Sequence, residues 1–186
     1  MNIRTFYSDR FVSEKLAKEN LEKLMQLDWG NFGAPRDEYF MSYIDRSYTY
    51  GQGRGVRTYE SRPFDPRVAH LMETINKAMG AEFNVCFLNR YLDQKKWLGW
   101  HADDSPEMDQ SHPIAVVSFG VERDIWWKPQ DFKGEIPDEW KQTLGNGSLF
   151  VMPVGMQQTH YHKIPKHHSE CGVRISLTFR KYKSEK

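Results

Sequence analysis

Three side chains in two short segments have the residue types and spacing of a metal site. His101 and Asp103 flank Ala102, and in an extended segment alternate side chains point the same way. An imidazole and a carboxylate on one face can therefore bind the same metal ion. A second histidine completes a set of two histidines and one carboxylate, which leaves three octahedral positions open and is typical of non-haem Fe(II) oxygenases. His160 and His162, which share a face of a later segment, are the candidates for this second histidine.

The last β-strand that the sequence predicts has an unusual polar face. Alternation over residues 174–180 separates polar from apolar side chains. The polar face consists of Arg174, Ser176, Thr178 and Arg180. A strand that faces solvent is one interpretation of this pattern. The other is a polar barrel interior in which the two guanidinium groups hold a small dicarboxylate, because arginine matches carboxylate geometry with two parallel hydrogen bonds.

Residues 36–67 have the composition of a nucleotide-binding surface. They contain six arginines and no lysine, interleaved with seven aromatic residues. The arginines are Arg36, Arg46, Arg54, Arg57, Arg62 and Arg67, and the aromatic residues are Tyr39, Phe40, Tyr43, Tyr48, Tyr50, Tyr59 and Phe64. Arginine on phosphate and aromatic rings on bases hold flipped or single-stranded nucleotides. Five acidic residues in the same stretch favour the alternative, a lid whose aromatic residues are structural.

These groups must be positioned by the elements around them, which begin with two amphipathic helices. Ser13 is a suitable N-cap for a helix that runs to about Leu27. The apolar face of this helix is expected to consist of Leu16, Leu21, Leu24 and Met25. The second helix is expected to start at Pro66, after the N-cap Asp65, and to end at Gly80.

After residue 80 the hydrophobic pattern changes to the two-residue period of β-strands. The strand candidates are 83–91, 114–120, 125–128, 148–152, 159–164 and 173–181, with a long polar connection at 129–147 and short strands and loops at 29–64. Short strands separated by turns, with helices only at the front, predict a mainly β fold with flanking helices. A β-sandwich or jelly roll is the expected architecture.

The composition of the whole chain excludes several classes of protein. A length of 186 residues favours one domain. With 26 basic and 25 acidic residues there is no global basic field, so any contact with a polyanion must come from a local patch. Cys86 and Cys171 fit no disulfide or zinc motif and indicate a reducing compartment. The absence of a signal-peptide pattern or a membrane-spanning apolar run predicts a soluble intracellular protein, cytoplasmic or nuclear.

Taken in order along the chain, these segments resemble the AlkB family of Fe(II)/2-oxoglutarate-dependent dioxygenases, and most of all its DNA-repair branch. The matching stretches are Phe83–Tyr91 (FNVCFLNRY), Gly99–Asp104 (GWHADD), Pro113–Asp124 (PIAVVSFGVERD), Gly147–Met152 (GSLFVM), Thr159–Pro165 (THYHKIP) and Arg174–Arg180 (RISLTFR). They span the C-terminal three-fifths of the chain. Residues 34–36 and 48–51 are similar, more loosely, to the region that covers the substrate in this family.

The resemblance implies a double-stranded β-helix that binds Fe(II), 2-oxoglutarate and dioxygen. It makes His101, Asp103 and His162 the catalytic metal ligands, because the distal histidine of the family follows an aromatic residue and precedes an x-x-Pro step. The implied 2-oxoglutarate contacts are Asn89, Tyr91, Arg174, Thr178 and Arg180, with Ser176 standing where the family usually has asparagine. Arg174 or Arg180 is expected to bind the distal carboxylate.

The implied activity is oxidative removal of N-alkyl groups, of the 1-methyladenine and 3-methylcytosine type, from nucleic acid. DNA is the favoured substrate and RNA the next. Tyr48, Tyr50, Arg57 and Asp104 are the expected substrate contacts. Asp104 points away from its neighbour Asp103 in an extended segment, so we expect it at the pocket rim rather than on the metal. There it can accept a hydrogen bond from an exocyclic amine.

The resemblance to this family also predicts the domain organisation. We expect a monomer with a single domain over residues 1–186, in which about 1–80 form the helices and a nucleotide-recognition lid and about 81–182 form the jelly-roll core. Trp29 and Phe32 lie where repair enzymes of the family have a hairpin that enters the base stack, although burial behind the first helix is the alternative. Two other enzyme functions stay open: the same oxidation of RNA, a free nucleobase or a protein side chain, and a zinc hydrolase that uses the same ligands. A metal-free binding domain with the same fold is a third alternative, which the complete ligand set and the two arginines disfavour.

Overall fold

The computed structural model describes residues 3–31, 33–50 and 56–183, and its framework is a pair of antiparallel sheets. The large sheet contains, in pairing order, β1 (Phe6–Ser8), β10 (Leu149–Met152), β7 (Ile114–Gly120), β12 (Arg174–Arg180), β5 (Val85–Tyr91) and β2 (Asp37–Ser42). The small sheet contains β6 (Leu98–His101), β11 (His160–Ile164), β8 (Arg123–Pro129) and β9 (Lys141–Leu144). A hairpin, β3 (Tyr48–Tyr50) and β4 (Arg57–Tyr59), forms a third, two-stranded sheet. The mainly β jelly roll expected from the sequence is confirmed.

Two helices, α1 (Glu14–Leu24) and α2 (Pro66–Met79), pack on the large sheet. The predicted caps of α2 are present, because the Asp65 side chain accepts a hydrogen bond from the Arg67 N–H and Gly80 closes the helix at a φ of 61°. Val68, Leu71, Met72 and Ile75 line the buried face of α2. They join the apolar side chains of β5, β7 and β12 in the main hydrophobic core.

The first helix presents most of its predicted apolar face to the core, with Leu16 as the exception. It starts after the expected cap Ser13 but ends at Leu24, and Leu16 is 41% exposed. Its buried residues are Ala17, Asn20 and Leu24, which follow the helical spacing from the cap. The predicted Leu21 and Met25 are partly buried and pack against the same core.

The prediction of an irregular connection over residues 129–147 was wrong. A 3-10 helix at Asp138–Trp140 leads into β9, which pairs with β8 from Trp126↔Lys141 to Arg123↔Leu144. Only Leu144 of this strand is buried, so its hydrophobic signal is weak and the hydrogen-bond ladder decides its conformation. Three further elements are absent from the predicted strands and helices, namely β1, β6 and the short helix α3 (Met156–Thr159).

The last strand, β12, lies between β5 and β7 at the centre of the large sheet, and all of its residues are buried. Its apolar alternates Ile175, Leu177 and Phe179 belong to the core under the helices. The polar alternates point to the other side, into the space between the two sheets. This arrangement rules out the solvent-facing interpretation of the strand and supports the polar barrel interior.

The β3–β4 hairpin closes one end of the sandwich through aromatic packing. Tyr48 lies 5.6 Å from Phe40 and 5.8 Å from Phe87, and Tyr59 lies 4.9 Å from Phe87, between ring centroids. These buried rings support the structural lid that the acidic residues of this stretch suggested. The side chain of Tyr50, together with Phe32 and Arg54, lies outside the described residues. Among the helices of the described chain, none has the length and apolar character to cross a membrane.

Candidate metal centre and anion pocket

The three predicted metal ligands meet in the space between the sheets. His101 ends β6 and His162 lies in β11, and the two residues are direct partners in the antiparallel ladder. Asp103 follows two residues after β6. The nearest atoms are His101 Nε2 and Asp103 Oδ1 at 3.7 Å, and His162 Nε2 and Asp103 Oδ2 at 3.8 Å. Candidate donor atoms from the three side chains all lie within 4.8 Å of one another.

The surroundings keep both imidazoles neutral. His101 Nδ1 lies 2.8 Å from the Gly99 carbonyl oxygen. Because a carbonyl only accepts hydrogen bonds, Nδ1 carries the proton and the Nε2 lone pair faces Asp103. Burial lowers the pKa of His101, and burial together with the nearby His101 lowers the pKa of His162 to about 3. Neutral imidazole is the form that binds a metal ion.

Asp103 is held as a carboxylate. Burial acts to raise the pKa of Asp103, but Arg180 and the two histidines outweigh it, so the pKa is lowered. Arg180 Nη2 donates to Asp103 Oδ1 at 2.8 Å. Oδ2, on the side of His162, has no hydrogen-bond partner among the described residues. Two neutral imidazoles and a buried carboxylate with a free oxygen fit a divalent metal ion.

A buried glutamine that the sequence did not indicate holds the backbone of the metal carboxylate. Gln157, in α3, is 5% exposed, and its Oε1 accepts a hydrogen bond from the Asp103 N–H at 2.9 Å. Gln110 Nε2 donates to the Asp103 carbonyl at 3.0 Å, and Gln158 Nε2 donates to Gln110 Oε1 at 2.6 Å. Three amides therefore fix the peptide units on both sides of Asp103. The only feature of the sequence that could have indicated this support is the pair Gln157 and Gln158, which lies close to the start of β11.

Replacing Gln157 with methionine is expected to weaken metal binding about tenfold, since outer hydrogen bonds of this kind contribute roughly 10- to 100-fold to metal affinity. Methionine preserves the volume of the side chain but removes the acceptor for the Asp103 N–H. The measurement is the dissociation constant for Mn(II) or Co(II), obtained without cosubstrate. Gln26→Met, at an exposed position behind α1, is the matched control. Equal affinity in the Gln157 and Gln26 variants would show that Asp103 needs no such support.

The polar face of β12 forms the wall of a pocket that starts at the metal centre. Its polar lining consists of Asn89, Tyr91, His101, Asp103, His162, Arg174, Ser176, Thr178 and Arg180. All six residues predicted to contact 2-oxoglutarate are in this set. One apolar side chain from each of the strands β6, β7, β8, β9, β10 and β11 completes the lining. The structure thus brings the predicted metal ligands and the predicted cosubstrate contacts into one cavity.

The two arginines of this pocket have different surroundings. Arg174 is 0% exposed, and Nη2 donates to Ser118 Oγ at 2.9 Å. The guanidinium lies 5.4 Å from the centre of the Tyr91 ring. Among the described residues, its Nε and Nη1 have no hydrogen-bond partner and no carboxylate pairs with it. Burial lowers the pKa of Arg174 to about 10, which leaves the guanidinium charged at neutral pH. A buried cation with free donors fits an anion, whereas Arg180 already neutralises Asp103.

The opening of the pocket is built around a buried glutamate. The Glu38 carboxylate accepts hydrogen bonds from Arg36 Nη2 at 2.7 Å, from the Tyr59 hydroxyl at 2.5 Å and from Arg57 Nη1 at 3.3 Å. Arg36 also donates through Nε to Asn89 Oδ1 at 2.9 Å. Arg57, which we predicted to contact substrate, therefore has a partner within the chain. Arg36 was not predicted as a site residue, although it lines the opening.

The other predicted substrate residues lie in three different settings. Tyr48 lines the opening next to His101, and burial raises the pKa of its hydroxyl to about 12. Asp104 is exposed, as expected for a residue directed away from the metal. Trp29 is packed rather than projecting, since its Nε1 donates to the Leu24 carbonyl at 2.9 Å and Arg90 lies 4.9 Å from its ring. This packing favours the buried alternative for Trp29.

Comparisons with known proteins agree with the geometry. Residues 8–180 match the family model of the 2OG-Fe(II) oxygenase superfamily. The DNA oxidative demethylase ALKBH2 of Homo sapiens is 32% identical over 142 residues, which cover 72% of this chain and 54% of that protein. The alpha-ketoglutarate-dependent dioxygenase alkB homolog 3 of Homo sapiens is 29% identical over 184 residues, which cover 91% of this chain and 63% of that protein.

A solved structure supports the same fold. The structure of OsALKBH1 matches with a TM-score of 0.66 at 14% identity, over 97% of this chain and 99% of that one. The aligned part is about half of the human ALKBH2 protein, so the curated relatives are longer than the region shared with this chain. The match to the family model extends over nearly all of the two-sheet framework. The chain therefore belongs to the 2OG-Fe(II) oxygenase superfamily and, within it, to the AlkB family.

Proposed function

We propose that this chain is an Fe(II)/2-oxoglutarate-dependent dioxygenase that removes N-alkyl groups from bases in nucleic acid, with DNA as the favoured substrate. The observation that carries the proposal is the pairing of a complete metal centre with the buried, carboxylate-free Arg174 in one pocket. A zinc hydrolase would have no use for that guanidinium. Support for the substrate comes from relatives whose names describe DNA oxidative demethylases.

The residues of the chain divide the work of such a reaction. Fe(II), bound with 2-oxoglutarate and dioxygen, would oxidise an N-methyl group to N-hydroxymethyl, which leaves as formaldehyde, while 2-oxoglutarate becomes succinate and carbon dioxide. His101, Asp103 and His162 would hold the iron. Arg174 would bind the distal carboxylate of 2-oxoglutarate through Nε and Nη1. Arg180 keeps Asp103 ionised and in place.

The opening supports a planar, aromatic substrate. Tyr48, Phe87 and His101 place three rings around it, and aromatic rings are the usual surface for an extruded base. Glu38 neutralises one of the two guanidinium groups that it binds, those of Arg36 and Arg57. Tyr50 and Arg57 are still predicted to contact the substrate. Any contact of Arg57 with phosphate must share the guanidinium with Glu38.

The test is formation of succinate and formaldehyde in the presence of Fe(II), ascorbate and 2-oxoglutarate. The substrates are 1-methyladenine and 3-methylcytosine in single-stranded DNA, duplex DNA and RNA, each compared with the unmethylated oligonucleotide. We expect lesion-dependent formaldehyde from DNA, with one succinate formed for each formaldehyde. Activity on RNA, a free nucleobase or a methylated peptide in place of DNA would reassign the substrate and leave the oxidation chemistry in place.

Replacement of Asp104 by alanine is expected to abolish repair of the two lesions while metal and 2-oxoglutarate still bind. The exposed carboxylate would accept a hydrogen bond from the exocyclic amine and attract the cationic methylated ring. The measurements are metal affinity, cosubstrate affinity and formaldehyde release. Asp45→Ala, at an exposed acid of the lid, is the matched control. Repair at the parent rate in the Asp104 variant would remove this residue from substrate recognition.

A further inference from the structure

The outer face of the small sheet has a cluster of tryptophans and lysines that the proposed chemistry does not use. We define the tryptophan–lysine face as Trp100 of β6, Lys163 of β11, Trp126 and Lys128 of β8, and Lys141 of β9. These side chains are partly exposed, and those of β8 and β11 alternate with buried residues of the same strands. The face thus crosses all four strands of the sheet, over a width of about 15 Å at the usual strand spacing.

Each lysine ammonium lies against an indole ring. Lys163 Nζ is 5.1 Å from the centre of Trp100 and 5.2 Å from that of Trp126. Lys128 Nζ is 4.9 Å from Trp100, and Lys141 Nζ is 5.2 Å from Trp126. Two indoles therefore position three cations side by side on one surface.

The positive charge of this face is only partly neutralised. Asp138 pairs with Lys141 at 2.9 Å, but no carboxylate of the described residues lies within 4 Å of Lys128 or Lys163. Burial and the neighbouring Lys128 lower the pKa of Lys163, as expected where like charges are crowded. Like charges on neighbouring strands oppose each other unless an anion lies between them. The crowding of three cations on one face therefore favours a bound anion over a purely structural role.

The face lies directly behind the metal centre. Trp100 precedes the ligand His101, and Lys163 follows the ligand His162, with the side chains of each pair on opposite faces of the sheet. β6 is an edge strand. Trp97, directly before this strand, is 38% exposed. Its backbone N–H donates to the carbonyl of Pro35, the residue before Arg36 at the pocket opening. Exposed indoles thus lead from the opening around the edge of the sheet to the outer face.

We propose that the tryptophan–lysine face binds the single-stranded nucleic acid that flanks the base in the pocket, with phosphates on the lysines and bases or sugars on the indoles. The inference rests on the proposed function. Charge complementarity and interleaved aromatic rings are the features of sequence-tolerant single-strand binding. An acidic polypeptide would satisfy the lysines but has no general use for the two indoles.

The test is binding of unmodified single-stranded oligonucleotides by fluorescence anisotropy, as a function of length and salt. The Lys128→Gln, Lys141→Gln double variant is compared with the matched Lys15→Gln, Lys18→Gln variant, at exposed positions of α1 on the large sheet. If each lysine neutralises one phosphate, the first variant should lower the salt slope by about 1.4, and the second should leave it unchanged. Trp126→Leu should weaken binding roughly tenfold without changing the slope, since each stacked base contributes on that scale.

The outcomes separate this inference from the proposed function. Demethylation of a methylated trinucleotide by the parent chain tests the function, because so short a substrate fills the pocket alone. If the parent demethylates it and binds long oligonucleotides, but the lysine and tryptophan variants bind them equally well, the face is not a strand-binding surface. If polyglutamate of equal charge binds as tightly as DNA, and Trp126→Leu has no effect, the face is not specific for nucleic acid and the proposal is overturned. Thermal unfolding of each variant identifies any loss that comes from misfolding.

Discussion

Replacement of His162 by alanine is expected to abolish metal binding, while replacement of His160 leaves the metal bound. Both histidines are buried in β11 and share a face, but only His162 pairs with His101 and reaches Asp103. His160 is instead engaged with the Thr159 hydroxyl at 2.8 Å. Loss of a direct ligand should weaken affinity more than about 100-fold, beyond the effect of an outer hydrogen bond. Titration with Mn(II) or Co(II) under anaerobic conditions measures the effect.

The histidine pair is its own control, since the two variants remove the same side chain from one strand. Succinate formation should follow the metal, with no turnover in the His162 variant and retained turnover in the His160 variant. A chain that loses its metal with His160→Ala and keeps it with His162→Ala would have the opposite ligand assignment. Circular dichroism establishes that both variants keep the β-sandwich.

The second large effect is expected at Arg174. Its replacement by methionine should raise the 2-oxoglutarate dissociation constant by a factor that corresponds to about 2–5 kcal/mol, the range for truncating a buried charge pair. The metal should still bind, because Arg174 is not in contact with Asp103 in the way that Arg180 is. Isothermal titration with the non-oxidised Mn(II) form gives both affinities.

Stability separates this role from a structural one. Without an anion, Arg174 is a buried cation with one neutral hydrogen-bond partner, so Arg174→Met should leave the free energy of unfolding unchanged or increase it. Saturating 2-oxoglutarate should stabilise the parent chain by about 2.7 kcal/mol at 100 times its dissociation constant, and the variant hardly at all. Arg180→Met should instead weaken metal binding, since Asp103 loses its partner. Equal 2-oxoglutarate affinity in the parent and the Arg174 variant would show that another residue binds the distal carboxylate.

Several features of the site could be read from the sequence because they depend on local geometry. The alternation of a strand decides that His101 and Asp103 point together and that Arg174 and Arg180 share a face. The helix α2 was predicted with both ends, since its cap and its terminal glycine act within one turn. The choice of His162 over His160 came from the family pattern. It agrees with the ladder that places His162 opposite His101.

Other features were decided only when distant segments came together. The hydrogen bond between Asp103 and Gln157 joins residues 54 positions apart, and the Arg36–Asn89 bond joins residues 53 apart. The different surroundings of the two arginines also depend on distant segments. Arg180 meets the Asp103 carboxylate across the cavity, whereas no carboxylate of the described residues pairs with Arg174. Arg57 lies in a segment with the composition of a phosphate-binding surface, but its guanidinium pairs with Glu38 of β2.

The physical reason for this division is the range of the interactions involved. Backbone sterics and side-chain alternation act over a few residues, so the sequence by itself determined the strand faces and the second helix, and it limited the second histidine of the metal site to His160 or His162. Pairing of buried charges depends on which partners the packed sheets bring within about 4 Å, because an unpaired charge in the interior is costly. Only the tertiary structure could therefore decide that Arg180 pairs with Asp103, that Glu38 binds Arg36 and Arg57, and that Arg174 has no carboxylate partner among the described residues.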